Sequence, residues 1–163
     1  MSTNKIDEIW TLLQQVKDPE IPVLTIVDLG VVRDIRIDEN QLVNIDITPT
    51  YSGCPAMNAI EMEIKILLSS LGIPHAIKTV LSPPWTTDWI SENGKTKLKA
   101  YGIAPPQDEI ELKHLFDKPT NIECPRCNSL NTELVSQFGS TACKSLYKCL
   151  DCLEPFDYFK CLR

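Results

Sequence analysis

The chain has 163 residues, of which 43% are hydrophobic and 23% charged, and its formal net charge is -6. These proportions exclude the low hydrophobicity and high charge of disordered chains and predict a packed core. The acidic balance disfavours nucleic-acid binding, because that affinity comes mainly from Lys and Arg neutralising phosphates.

The N-terminal part of the chain begins with a helical pattern and continues with extended ones. Apolar residues recur at helical spacing from Asn4 to Lys17 and predict a first helix, which the prolines of Asp18–Pro22 end. Val31–Ile37 and Leu42–Thr48 are rich in β-branched residues, and the second alternates apolar with polar side chains. We therefore predict two strands joined by a hairpin turn at Asp38–Gln41.

A cysteine precedes the second predicted helix. This helix begins near Pro55, and Gly72 and Pro74 are its stop signals. Because proline favours the first helical position, Cys54 is predicted to be the N-cap residue, where free backbone N–H groups and the helix dipole stabilise a thiolate. Cys54 is therefore either a reactive thiol or soft-metal ligand, or a small hydrophobic side chain buried in a tight loop.

A third strand and a loop with two tryptophans follow. Ala76–Leu81 predicts the strand, and a proline-rich segment leads from it into a third helix capped by Thr or Asp. Trp85 and Trp89 near the start of that helix either form a docking surface or pack in the core, and core packing is the commoner use. The element order α-β-β-α-β-α predicts an α+β fold class.

Two CxxC pairs near the C-terminus predict a metal site. Cys124 and Cys127 form the first pair, and Cys149 and Cys152 form the second. Two residues between thiolates let one turn present both sulfurs to one ion, and two such turns complete a tetrahedron. We predict structural zinc, because so short a segment buries too little apolar surface to be stable alone.

Alternatives remain open at this site. Four thiolates also hold a rubredoxin-like iron or an iron-sulfur cluster, and Cys143 and Cys161 are possible alternate ligands. Three short strands typical of a zinc ribbon are predicted at Thr132–Phe138, Lys144–Lys148 and Phe156–Phe159.

The change from periodic elements to cysteine-rich sequence divides the chain. We predict an N-terminal domain over residues 1–102, a linker over 103–120 with a helical turn near Ile110–Phe116, and a zinc ribbon over 121–163. The cysteines number seven, and all but Cys54 lie from Cys124 onward as two CxxC pairs and two single residues, which in a reducing compartment favours metal binding over disulfides. The polar N-terminus and the absence of a bilayer-length apolar stretch predict a cytoplasmic protein.

Three motifs resemble those of the SufT-like iron-sulfur assembly domain. They are Asp18–Pro22 (DPEIP), Val27–Gly30 (VDLG) and Thr48–Pro55 (TPTYSGCP). The resemblance implies a small α/β domain in which Cys54 and Asp28 take part in assembling a transiently held cluster or delivering it to clients. Asp28 also has a structural interpretation, since an Asp before Leu-Gly often accepts backbone hydrogen bonds in a turn.

The whole chain resembles the D-subunit family of the phenylacetyl-CoA epoxidase system. The segments Pro83–Trp89, Tyr101–Pro106, Phe138–Lys144 and Glu154–Cys161 carry this resemblance. It implies a role in aerobic phenylacetate breakdown beside a di-iron oxygenase and an iron-sulfur reductase. The reductase is the expected client among the epoxidase components, and a homodimer is a further expectation.

The chain lacks the usual signatures of the enzymes in such a system. It has no paired Glu-x-x-His motifs and no G-x-G-x-x-G fingerprint, and His75 and His114 are predicted surface residues, so we expect no activity of its own. The leading hypothesis is an assembly factor in which Cys54 transfers or positions a cluster while the zinc ribbon binds the client. The alternative is a structural or electron-transfer component of the epoxidase.

Overall fold

The computed structural model describes residues 2–107 and 122–160. Two compact units divide the chain, Met1–Gly94 and Lys95–Arg163. The domain bounds predicted from the sequence differ from this division and stay predictions. None of the helices in the described ranges has the length and apolar character needed to cross a membrane.

The first unit has the predicted order of helices and strands. Its elements are α1 (Ser2–Leu13), β1 (Val32–Ile37), β2 (Val43–Ile47), α2 (Ala56–Ser70), β3 (His75–Thr79) and a 3-10 turn (Thr87–Trp89). The next helix, α3 (Glu92–Tyr101), begins in the first unit and ends in the second. The α+β class is confirmed.

The three strands of this unit form one sheet in the order β1-β2-β3. β1 and β2 are antiparallel, as the predicted hairpin requires, and β3 runs parallel to β2 after the α2 crossover. The Asp38 carboxylate holds the hairpin turn by accepting the N–H groups of Asn40 at 2.9 Å and Leu42 at 3.0 Å. The turn also places Gln41 in the left-handed region, with φ 63°.

The core of the first unit lies between this sheet and its helices. The alternating apolar side chains of β2 are fully buried, namely Val43, Ile45 and Ile47. On α2, Ile60, Ile64 and Leu68 recur at intervals of four and are at most 1% exposed. Full burial of each such side chain stabilises the fold by about 1.5–3 kcal/mol.

The first helix ends at Leu13, so the predicted end at Lys17 was wrong. The N–H groups of Gln15 and Val16 bond to carbonyls only three residues back, which tightens the chain into a turn. Beyond it, Lys17 pairs with Thr25 in an isolated antiparallel bridge. The apolar spacing favours a helix as far as Val16, but this pairing with a later part of the chain ends the helix earlier.

The second unit contains a four-stranded sheet. Its strands are β4 (Ile103–Ala104), β5 (Thr132–Ser136), β6 (Lys144–Cys149) and β7 (Pro155–Phe159). They lie in the order β4-β7-β6-β5, with β4 parallel to β7 and the other pairs antiparallel. β5 to β7 are the three predicted ribbon strands.

β4 is an element that the sequence did not suggest. Its residues open the segment predicted as a linker, yet Ala104 lies in the core of the ribbon. The other members of this core are Ile122, Cys124, Tyr147, Cys149, Phe156 and Tyr158. The helical turn predicted near Ile110–Phe116, and His114 with it, lie outside the described residues.

Candidate functional site

The four cysteines of the two CxxC pairs converge at one end of the ribbon. Their sulfur atoms all lie within 4.8 Å of one another. Cys124 Sγ is 3.7 Å from Cys152 Sγ, and Cys127 Sγ is 3.5 Å from Cys149 Sγ. Four sulfurs bonded to one ion at about 2.3 Å would be about 3.8 Å apart at the corners of a tetrahedron. The arrangement therefore fits a single tetrahedral metal ion.

Each CxxC turn closes through a residue with left-handed backbone. Asn128 follows Cys127 with φ 60°, and Leu153 follows Cys152 with φ 65°. In the first turn, the Asn128 N–H donates to the carbonyl of Cys124 at 2.9 Å. These closed turns bring both sulfurs of each pair to one point.

A hydrogen-bonded bridge joins the two turns. The Asp151 carboxylate accepts the hydroxyl of Ser129 and, at 2.8 Å, the side-chain amide of Asn131. The Leu150 N–H donates to the Asn131 carbonyl at 2.8 Å. The two side-chain bonds lower the pKa of Asp151, so the bridge remains anionic across the neutral range. It fixes the sulfur pairs relative to each other.

The thiols of the group are electrostatically unequal. Backbone N–H groups, above all that of Cys152, lower the pKa of the Cys149 thiol to about 7. A backbone hydrogen bond from Ser129 lowers the pKa of Cys127, but burial and the other three thiols raise it further, to about 12. The Cys149 thiol therefore ionises more readily than that of Cys127, and a cation is needed to ionise all four sulfurs together.

The donor set and its position suit a structural ion. Cys124 and Cys149 are fully buried in the ribbon core, whereas Cys127 and Cys152 face solvent. An ion bound by all four would tie the two turns to the sheet. Thiolates bind both zinc and iron, so the four sulfurs establish a fit to metal and leave the element open.

Cys143 lies apart from this group. It immediately precedes β6, and Cys149 is the last residue of that strand, so extended backbone separates them by about 20 Å. The Cys143 sulfur lies 3.0 Å from the hydroxyl of Thr141. Cys161, the other alternate ligand suggested by the sequence, lies outside the described residues.

Cys54 lies in the loop before α2, one residue further from the helix than predicted. Pro55 is the N-cap, with φ -68° and ψ -22°, and the helix begins at Ala56. Cys54 is half-buried rather than enclosed, and its carbonyl accepts the Met57 N–H at 3.3 Å. Gly53 precedes it with φ 80° and open space around its Cα. The thiol therefore lies on an accessible loop.

Asp28 is buried, 7% exposed, at the centre of a hydrogen-bonded loop. One carboxylate oxygen accepts the Thr25 N–H at 3.2 Å, and the other accepts the Asn93 amide at 2.9 Å and the Ser91 hydroxyl at 3.2 Å. The Ser91 N–H donates to the Asp28 carbonyl at 2.8 Å. These contacts match the structural interpretation of Asp28.

Sequence reasoning did not identify Ser91 or Asn93. Ser91 carries one local signal, because it precedes α3 and its hydroxyl accepts the Gly94 N–H at 2.9 Å, as a helix cap does. Its second bond, to Asp28, spans 63 positions and has no local signature.

The tryptophans and the histidine of the first unit have structural surroundings. Trp85 is 5% exposed and donates its ring N–H to the Leu29 carbonyl at 2.9 Å, so core packing is confirmed for it. Trp89 is half-buried under the Arg33 guanidinium, which lies 3.3 Å from the ring centroid. His75, predicted as a surface residue, is half-buried at the start of β3.

Comparison with known families matches both parts of the chain. Residues 6–81 match the family model described as iron-sulfur cluster assembly protein, and residues 109–160 match the PaaD zinc beta ribbon domain. A protein of Escherichia coli (strain K12) named as the D-subunit of 1,2-phenylacetyl-CoA epoxidase is 48% identical over 97% of this chain and 94% of its own length.

Two further similarities cover the N-terminal part alone. The Fe-S protein maturation auxiliary factor YitW of Bacillus subtilis (strain 168) is 41% identical over 56% of this chain and 91% of its own length. The crystal structure of a DUF59 domain from Bacillus anthracis superposes with a TM-score of 0.53 at 33% identity. That match covers 56% of this chain and 89% of the other.

Proposed function

The chain belongs to the D-subunit family of 1,2-phenylacetyl-CoA epoxidase, and from this premise we propose that it is an accessory protein of aerobic phenylacetate catabolism that helps to mature an iron-sulfur cluster of the epoxidase system. Its client is the reductase component, which carries the cluster. The cluster is the cargo of the protein rather than its resident cofactor.

The accessible thiol of Cys54 is the observation that carries this proposal. It lies within the segment matched by the iron-sulfur assembly family model. Among the described residues, Cys54 belongs to no group of three or more metal-binding side chains. Stable clusters in proteins are held by about four thiolates. A single thiolate supplies one exchangeable ligand, which suits a cluster in transit.

We assign Asp28 a positioning role in this function. Its carboxylate joins the loop around Thr25 to the residues that begin α3. With the carboxylate bonded in this way, Asp28 stabilises the unit that carries Cys54.

We assign the ribbon a structural zinc ion held by Cys124, Cys127, Cys149 and Cys152. Such an ion contributes folding free energy, about 10–16 kcal/mol in zinc-finger peptides near neutral pH, and the ribbon core is small. The ribbon in turn binds the client. The free cysteines at the described positions suit a reducing compartment, so we place the protein in the cytoplasm.

The test is maturation of the purified reductase component, supplied without its cluster, by the full-length chain. Cluster content is followed by iron and sulfide analysis and by the visible spectrum of the reductase. Cys54→Ala is expected to lose most of the stimulation, whereas Ser52→Ala, an exposed position in the same loop, is expected to keep it. Equal stimulation by Cys54→Ala and wild type would refute the proposal.

A second candidate function is a structural or electron-transfer component of the epoxidase. The solvent-facing sulfurs of Cys127 and Cys152 favour it, because an exposed iron-thiolate centre can exchange electrons with a partner. This function needs iron in the ribbon, whereas the assembly function works with zinc.

A further inference from the structure

Three exposed leucines lie within or close to the two CxxC turns that hold the four-cysteine group. Leu130 is 58% exposed, Leu150 is 42% exposed and Leu153 is 65% exposed. Leu150 lies between the two cysteines of the second turn, Leu153 follows that turn, and Leu130 comes three residues after Cys127. We call these three side chains the leucine collar.

Leu153 lies in a conformation that a leucine rarely adopts. Its φ is 65°, where a side chain with a Cβ crowds its own backbone and glycine does not. The corresponding residue of the first turn is Asn128, a type that tolerates this region well. Leu153 is mostly exposed, so little packing within the chain offsets the strain. The CxxC turn requires this backbone but not a leucine, so the residue type points to a role outside the fold.

The backbone beneath the collar is already ordered. Asp151 bridges Ser129 and Asn131, and the Leu150 N–H bonds to the Asn131 carbonyl. A partner that binds here therefore has little loop entropy to remove, which favours affinity per unit of buried area.

Charge around the collar indicates the kind of surface that fits it. Asp151 and Glu154 are exposed beside Leu150 and Leu153, so this rim is acidic. The cation of the first turn, Arg126, has its guanidinium directed toward Gly102. The complementary surface is apolar at its centre with Lys or Arg at its edge, which is the chemistry of a protein partner.

We propose that the leucine collar is the surface through which this protein binds the reductase component of the epoxidase, an inference that rests on the proposed function for the identity of the partner. Leu153 is the central contact, with Leu150 and Leu130 beside it, and basic side chains of the reductase face Asp151 and Glu154. Binding covers the sulfurs of Cys127 and Cys152 and excludes water from them.

The test measures binding of the full-length, metal-loaded chain to the purified reductase component by titration calorimetry. Leu153→Gly is the decisive variant, because glycine removes the side chain and relieves the backbone. We expect the dissociation constant to rise about tenfold or more, as for the loss of an interface anchor. The thermal midpoint of the variant should be no lower than that of wild type.

Two further variants complete the test. Leu150→Ser is expected to weaken binding as well. Val135→Ala, at a position 55% exposed in β5 and outside both CxxC turns, is the matched control and should bind as wild type does.

The outcomes separate this inference from the proposed function. If wild type and Leu153→Gly bind the reductase equally, the collar is not the docking surface, and the maturation assay with Cys54→Ala still decides the function. Absence of binding by wild type overturns the inference. A Leu153-dependent dimer of this chain in sedimentation experiments, without reductase binding, would also overturn it by assigning the collar to a second copy.

Discussion

Replacement of Asp28 by alanine separates a structural carboxylate from one that acts on a cluster. Alanine removes the acceptor for the Thr25 N–H, the Asn93 amide and the Ser91 hydroxyl. Each such bond contributes about 1 kcal/mol net, and bonds to a charged acceptor contribute more. We expect the free energy of unfolding of the first unit to fall by about 3 kcal/mol.

The tryptophans make this loss measurable in the full-length chain. All three, Trp10, Trp85 and Trp89, lie in the first unit, so their fluorescence during urea unfolding reports on that unit. With a urea dependence of about 1–3 kcal/mol per molar, the midpoint should fall by about 1 M or more.

Asp34→Ala is the matched control for the loss of a carboxylate. Asp34 pairs with Arg36 at 3.2 Å, but both side chains are more than half exposed. Exposed ion pairs contribute about 0–1 kcal/mol, so this variant should stay close to wild type. Our account of Asp28 is refuted if its alanine variant is as stable as Asp34→Ala, and a stable variant that fails to mature the client would instead make Asp28 a cluster ligand.

Three more perturbations test the rest of the structure. Gly30→Ala should destabilise the first unit by about 2–4 kcal/mol, because φ is +72° and the added Cβ would lie 2.7 Å from the Cβ of Trp89. Gly72→Ala has a positive φ but open space around it, so it should cost only about 1–2 kcal/mol. Urea unfolding compares the two variants. Removal of the metal, by a chelator or by Cys149→Ser, should unfold the ribbon. Hydrogen exchange should then show loss of amide protection in β5, β6 and β7. Unchanged protection would show that the ribbon folds without metal. Zinc affinity should fall as the pH falls, because protons compete with the ion for the thiolates. The fall should become steeper below about pH 7, the pKa of the Cys149 thiol, because that sulfur is then protonated as well. A pH-independent affinity would contradict four-thiolate binding.

Elements with a strong repeating pattern could be predicted from the sequence. The alternation along β2 and the apolar spacing of α2 each express the burial of one face, and the structure places these elements within a few residues of the predicted bounds. The two CxxC pairs could also be recognised, because the spacing of two cysteines within one turn is enough to predict a metal-binding turn.

Features that depend on distant partners could not be predicted. α1 stops at Leu13 because the chain pairs further on, and β4 has only two residues, too few for any period. The hydrogen bonds of Asp28 reach residues more than 60 positions away, and the motif around it shows only that a turn is present. The exposure of the leucine collar could not be predicted either, because it depends on how the two CxxC turns fold.

Metal analysis with a visible spectrum of the anaerobically purified chain tests most directly whether this protein assembles clusters or carries electrons. The comparison includes Cys54→Ala and Cys149→Ala. We predict one zinc ion per chain and no visible absorption, with zinc lost in Cys149→Ala and kept in Cys54→Ala. Iron and colour that disappear with Cys149→Ala would contradict the assignment of zinc and make the ribbon a redox centre of the epoxidase.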